Sequence, residues 1–452
     1  MQYRWNCVRC RWLGYWVLAG LIFAAQAPLL RADTDKKAEP NVQQPIDKGK
    51  LESRYSKDLK QVIEDLTKGK AAAKDNADAV DVLAQWHTYR VTWPENQTLT
   101  GGISGNPRGV YTELEAFLAE TTKNKPVTTP LLEMFSADVA EHMKIVLQND
   151  KPIARVNGAR ILARIAEAGQ EEVADLLAES VQDPRQLDAV KYWALKGIKE
   201  LFVQAGQQKA TVFQSKVGRE REVRCLAAVG EALTRKITIP EDLPRDEKEG
   251  LRVVRREAVR ALALNRRPAI VDDKGAVVDS PALTLLRVAR SDELVPEPRM
   301  DARVDAAAGV ARMSAKAFEG YQSDYAAYQL AWFIADFAQG HETNIPAKEA
   351  WKVDAAKLAD ALNIMKAETA KLKEGKFVAD VADHCLAVIA IIESGGKTKP
   401  DALAEWLTKN EPVNKSLYRG VADSIIRDLT KDAPAKPPEK EPAAKPPEPD
   451  KK

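Results

Sequence analysis

Residues 254–262 read VRREAVRAL, with the basic residue Arg255 three positions before the alanine Ala258 inside an amphipathic run. The same pairing recurs along the chain: Arg155 with Ala159, Lys191 with Ala194, Arg224 with Ala227 and Arg303 with Ala306. Successive basic residues lie 36, 33, 31 and 48 positions apart. A period of roughly 30 to 45 residues belongs to paired-helix repeats, in which each hairpin carries an apolar stripe too narrow to bury alone. The predicted fold is therefore all-α, an irregular α-solenoid of stacked helical hairpins over residues 151–318.

Working outward from that run, Ile153, Val156, Ala159, Ile161, Leu162 and Ile165 share one helical face. Gly169 stops that helix, and Val173, Leu176, Leu177 and Val181 begin its expected partner. Further helices are predicted over 187–203, 222–234, 251–264 and 302–313. Small residues recur where neighbours must approach: Ala159, Ala194, Ala227, Ala228, Ala258, Ala306 and Ala307. In these positions the chain resembles the HEAT family in its short form, with a V-R-x-x-A-[AV]-x-A-L core. Here that core stands as VRCLAAVGEAL at 223–233 and VRREAVRAL at 254–262, with looser copies ARVNGARILA, VKYWALKGI and ARVDAAAGVA. The resemblance covers residues 151–313, and it implies protein partners held on an elongated surface. The 48-residue interval has a local cause, because Ala269-Ile-Val and Ala276-Val-Val flank a D-D-K-G turn and read as a small β-hairpin insertion.

Helical regions are expected on both sides, at 51–150 and 319–430. Leu51, Tyr55, Leu59, Val62, Ile63 and Leu66 form one stripe on a helix ending before Gly69. Helices follow at 78–90, 110–122 and 131–147, with a loop imposed by Pro94 and the GGISGNPRG run at 101–109. That loop lacks the Lys-Ser/Thr of a phosphate-binding loop and fits no dinucleotide spacing, so it reads as a turn. Beyond the repeats, YAAYQLAWFIADF at 325–337 is expected to be buried, and helices are predicted at 347–374, 377–393, 400–407 and 414–429.

Both ends differ from the middle. Arg4, Arg9 and Arg11 precede the apolar run WLGYWVLAGLIFAAQA at 12–27, the pattern of a secretory signal peptide over 1–32 with cleavage near Ala32. Extended to Leu30, the run approaches the roughly 20 residues of a membrane helix, so an uncleaved anchor at 12–30 is the alternative. Residues 33–50 read as a disordered leader, and the Pro/Lys/Glu-rich tail at 431–452 as a disordered spacer. Removing residues 1–32 takes away four Arg and no acids, turning 68 basic against 66 acidic residues into 64 against 66. Near-neutrality withdraws the electrostatic case for nucleic acid.

Candidate chemistry is sparse. Cys225 and Cys385 lie on apolar faces and read as buried thiols, with one disulfide between them left open. His87, His142, His341 and His384 show no metal-ligand spacing, and no nucleophile motif occurs, so neither metal nor cofactor is expected. Asp380 and His384 share a helix face beside Asp383, and His341-Glu342 falls in an expected loop. Trp86, Tyr89 and Trp93 gather three aromatics of the kind that stack on sugars. The binding candidate is the stripe Arg252, Arg256 and Arg260, at i, i+4 and i+8 of one helix edge, suited to an acidic peptide or an anionic polymer. The expectation is an exported, non-catalytic helical-repeat scaffold that binds protein partners in the cell envelope. A glycan-binding protein or all-α enzyme of the envelope is the alternative.

Overall fold

Some helices of this chain begin at polar caps (Asp47, Ser56, Ser280) or prolines (Pro130, Pro152, Pro400), and four of the described helices end at or next to residues with positive φ, Gly69, Gly169, Ser291 and Gly395. A computed structural model describes residues 45–96, 109–123, 128–207, 211–234, 244–271, 277–291, 296–343 and 348–419. The predicted signal peptide, the leader up to residue 44, loop residues 101–108 and the tail lie outside the described residues. Among the described residues the chain is mostly helical.

The N-terminal stripe is cut into two helices, α1 (Lys48–Arg54) and α2 (Lys57–Thr67). Ser56 makes the cut, since its Oγ accepts from the Leu59 amide at 3.3 Å and starts a new helix. Next come α3 (Ala77–Tyr89), α4 (Val110–Lys123) and α5 (Thr129–Val146), the last with Pro130 in its first turn.

From residue 152 the elements alternate. They are α6 (Pro152–Glu167), α7 (Ala174–Gln182), α8 (Asp188–Ala205), α9 (Lys216–Thr234) and α10 (Arg245–Leu262), then α11 (Pro281–Arg290) and α12 (Met300–Ala311). After them run α13 (Ser323–Thr343), α14 (Lys348–Thr369), α15 (Gly375–Glu393) and α16 (Pro400–Lys409). Packing joins every second helix. One row runs α6 on α8, α8 on α10, α10 on α12 and α12 on α14; another runs α7 on α9, α9 on α11 and α11 on α13. The rows meet through the pairs α7–α8, α9–α10 and α11–α12, so α7 pairs mainly with the helix after it rather than with α6.

This arrangement sorts the recurring basic residues by row without making their period even. Arg155, Lys191, Arg255 and Arg303 sit on α6, α8, α10 and α12, all in the even-numbered row, at intervals of 36, 64 and 48. Arg224 belongs to α9, in the other row. Its register differs accordingly: Ala159, Ala194, Ala258 and Ala306 are buried, whereas Ala227 is exposed and Ala228 takes the buried place.

Two glycines set how closely the rows approach. A Cβ on Gly197 of α8 would stand 2.9 Å from Leu177 Cδ1 and 3.2 Å from Ala163 Cα, so α8 lies against α7 and α6 together. On α12, Gly309 meets the end of α10 in the same way.

Between the rows' middle members, β1 (Ile270–Val271) pairs antiparallel with β2 (Val277–Asp279), Ile270 facing Asp279 and Val271 facing Val277. Immediately after β2, Ser280 Oγ accepts from the Leu283 amide at 3.2 Å and Pro281 opens α11, a helix absent from the sequence expectation.

Residues 414–419 do not form the predicted start of a helix. Gln322 N donates to Leu417 O at 2.9 Å and Arg419 N to Gly320 O at 2.8 Å, which lays Tyr418 antiparallel to Tyr321. The Tyr418 hydroxyl donates to Pro268 O and meets Ser280 Oγ, and its ring packs on Phe318 and Tyr321. Burying a phenol with its hydroxyl satisfied outweighs one helical turn. Residues 420–429 of that prediction lie outside the described residues.

Cys225 and Cys385 are fully buried free thiols, each with its pKa raised by burial. Among the described residues no helix is long and apolar enough to cross a membrane.

Candidate functional site

Arg252, Arg256 and Arg260 align along α10 because one turn and a tenth separates each from the next. Asp301 and Asp305 align the same way on α12, the next helix of the even row. Face to face, the two series pair: Arg256 Nη1 lies 2.7 Å from Asp301 Oδ2, and Arg260 Nε 3.0 Å from Asp305 Oδ2. Arg252 turns back to Glu249, at 2.5 Å, and donates from Nε to Glu297 O at 3.2 Å.

Asp305 is only 5% exposed, and its other oxygen accepts from Lys357 of α14. On the opposite side Lys199 of α8 bonds Glu257 of α10 at 2.6 Å, and Glu257 lies 3.5 Å from Arg260. The line Lys199, Glu257, Arg260, Asp305, Lys357 therefore crosses four consecutive helices of the row. One turn before Lys357, the Asp354 carboxyl is pushed up to about 6 by burial, with Asp301 and Asp305 adding to the shift.

Breaking a fully buried ion pair costs about 3 to 5 kcal/mol, but Arg260 and Lys357 keep access to water. Asp305→Asn is therefore expected to cost roughly 2 kcal/mol, read as a lower urea midpoint. Adding Lys357→Met should restore part of that loss, since it removes a cation left without its acid.

The row face continues past α8. Arg160 of α6 lies 4.9 Å from the Trp193 ring centroid and 5.3 Å from that of Tyr111, while Lys196 Nζ lies 4.7 Å from Trp193. Cations and aromatics thus alternate where α4, α6 and α8 meet.

A cleft opens between α10 and residues 296–302. Its apolar lining is Leu233, Val253, Val259, Val288, Pro296 and Pro298. Arg252 and Arg256 reach this cleft together with Arg255, Arg299, Glu249 and Asp301. Arg260 does not, so the structure divides the predicted triplet between the cleft and the inter-helix ion pairs.

The other sequence candidates have other occupations. Trp86 stacks on Tyr55 with centroids 4.1 Å apart and carries the Arg90 guanidinium 4.2 Å from its ring, while Trp93 and Tyr89 are buried. Those ring faces pack the N-terminal helices. His384 donates from Nδ1 to the backbone carbonyl of Asp380 at 2.9 Å and stacks on Trp406, and Asp383 pairs with Lys366. His341 and Glu342 fall in the last turn of α13 rather than in a loop, and Glu342 accepts from Thr398 at 2.6 Å.

One constellation had no signal in the sequence. The Tyr89 hydroxyl lies 2.9 Å from His142 Nδ1, and His142 Nε2 lies 2.6 Å from Asp81 Oδ1. With the imidazole neutral, Nε2–H donates to Asp81 and Nδ1 accepts from Tyr89. This chain links a buried phenol to a half-exposed carboxylate and pins α3 to α5. Its members come from two helices 53 residues apart, beyond the reach of any short motif. Among the described residues no group of three or more His, Cys, Asp and Glu side chains could hold a metal ion.

A scan against family models, a search of curated proteins and a search of solved structures each found no match.

Proposed function

We propose that this chain is an exported α-solenoid scaffold that holds protein partners in the cell envelope, on the face formed by its even-numbered helices. The observation that supports this most is the row itself. Five helices stack on alternate partners, and the charged side chains between them are held by ion pairs rather than left to swing in water. Fixed side chains lose little entropy when a partner docks, so such a face binds at low cost. The resemblance to HEAT repeats and the signal-like run at 12–27 support the scaffold role and the export. In this reading the β1–β2 pair is a hairpin insertion projecting from the array.

A pull-down from envelope extract is expected to recover a partner with the purified protein as bait. Recovery should fall at least fivefold with Trp193→Ala and Lys196→Glu on α8, and stay unchanged with Glu220→Lys on α9 in the other row. A partner lost equally with both, or with neither, would remove the even-row face from the proposal.

A further inference from the structure

We propose that the cleft between α10 and residues 296–302 binds a short acidic segment of a partner protein, with an aliphatic side chain in the cleft and carboxylates on its rim. This names the partner chemistry of the scaffold face and rests on that reading.

The floor is apolar and built from three helices. Leu233, Val259 and Val288 are buried there, while Val253 is 48% exposed and lines the same cleft as Pro296 and Pro298. Covering it removes apolar surface from water at about 25 cal/mol per Å². The rim carries an excess of positive charge, with Arg252, Arg255, Arg256 and Arg299 against Glu249 and Asp301. One carboxylate, Glu249, serves two guanidinium groups at 2.5 Å each, those of Arg252 and Arg299. Arg252 also donates to Glu297 O, whereas the Arg299 side chain is 60% exposed and has room for a second carboxylate among its five N–H donors. Arg299 is the most exposed of the four, and a carboxylate arriving from solvent meets it first. Burial lowers the Arg255 pKa, and a nearby anion would offset that desolvation.

Charge and apolar surface together select the occupant. A carboxylate matches the guanidinium fork geometrically, and an aliphatic side chain fills the floor beside Val253. An anionic polymer offers the first of these and not the second.

The test uses a fluorescein-labelled heptapeptide alternating glutamate and leucine, titrated into the purified protein and read by anisotropy. Control probes are a glutamate–serine peptide of equal charge, a lysine–leucine peptide and dextran sulfate as competitor. The glutamate–leucine peptide is expected to bind at least tenfold more tightly than either control peptide. Val253→Asp and Arg299→Ala should each weaken it about tenfold with the urea midpoint unchanged. No binding, equal binding of the serine peptide, or binding that survives Val253→Asp would overturn the assignment. Displacement by dextran sulfate with Val253→Asp still binding would give the cleft to an anionic polymer instead. The envelope pull-down keeps the two readings apart: a partner retained by Val253→Asp but lost with the α8 variants leaves the scaffold standing and removes only the cleft.

Discussion

Gly309→Val is expected to lower the unfolding free energy by about 3 kcal/mol, at the upper end of what overpacking a core costs. A Cβ at this position would stand 2.6 Å from Ala263 Cβ, 2.7 Å from Ala263 Cα and 3.0 Å from Leu285 Cδ1. Ala263 caps α10, and its Cα cannot rotate out of the way as a long side chain would. The only relief is for α12 to lift off α10 and α11 together. That movement also stretches the Arg256–Asp301 and Arg260–Asp305 pairs, which span the same two helices. A urea titration should show a lower midpoint at unchanged slope. Gly250→Ala on α10 makes the contrast, because nothing lies within 4 Å of its added Cβ. There the gain in helix propensity should stabilise by up to about 1 kcal/mol. Equal midpoints for wild type and Gly309→Val would mean that α12 does not approach α10 so closely.

Acid should weaken the N-terminal helices through His87. Its ring is fully buried between Phe117 and Phe135, with centroids 6.0 and 5.9 Å away. Burial lowers its pKa from 6.5 to about 4, and the Arg90 charge acts in the same direction. The unfolded chain takes up the proton first, so stability is complete above about 6.5 and falls as the pH drops towards about 4. At 1.36 kcal/mol per pH unit the full loss is about 3 kcal/mol. His87→Leu should remove it: between pH 7 and pH 4.5 the variant is expected to lose about 2 kcal/mol less than wild type in urea titrations. Equal losses would show that His87 is protonated as readily in the fold as out of it. Asp354 acts with the opposite sign. Its folded pKa of about 6 lies above the ordinary 3.8, so its contribution is complete below 3.8 and fades as the pH rises through 6. Asp354→Asn should therefore make the loss on acidification steeper.

How much of this was legible differs from element to element. Helix existence followed from apolar periodicity, because a stripe must be buried whatever covers it. The row assignment did not follow. VRCLAAVGEAL and VRREAVRAL look alike as letters, yet α9 buries Ala228 and α10 buries Ala258, since the two helices present different faces to different neighbours. Helix α11 directly follows two β-prone runs, and its signal in the sequence is the cap pair Ser280-Pro281. The split at Ser56 had the same kind of signal, outweighed by an unbroken stripe. For the site, the alignment of Arg252, Arg256 and Arg260 was readable as a period of four. Their local partners Glu249 and Glu257, three positions away, were readable too, whereas Asp301 and Asp305 lie 45 positions beyond Arg256 and Arg260 and face them only through stacking. The same gap concealed the link from Tyr89 through His142 to Asp81.

The seam at Tyr418 changes how the later helices come apart. In an array where each helix touches only near neighbours, fraying can start at an end and move inward one unit at a time. Here the chain's return to Pro268, 150 residues earlier, fastens the far end to the middle. At its far end that loop is closed by a few hydrogen bonds and one buried ring. Helices α11 to α16 all lie inside it, held at their near end by packing on α9 and α10 and at their far end by this ring, so a protease or exchanging solvent should find α16 protected until the ring is released rather than peeling from its own end.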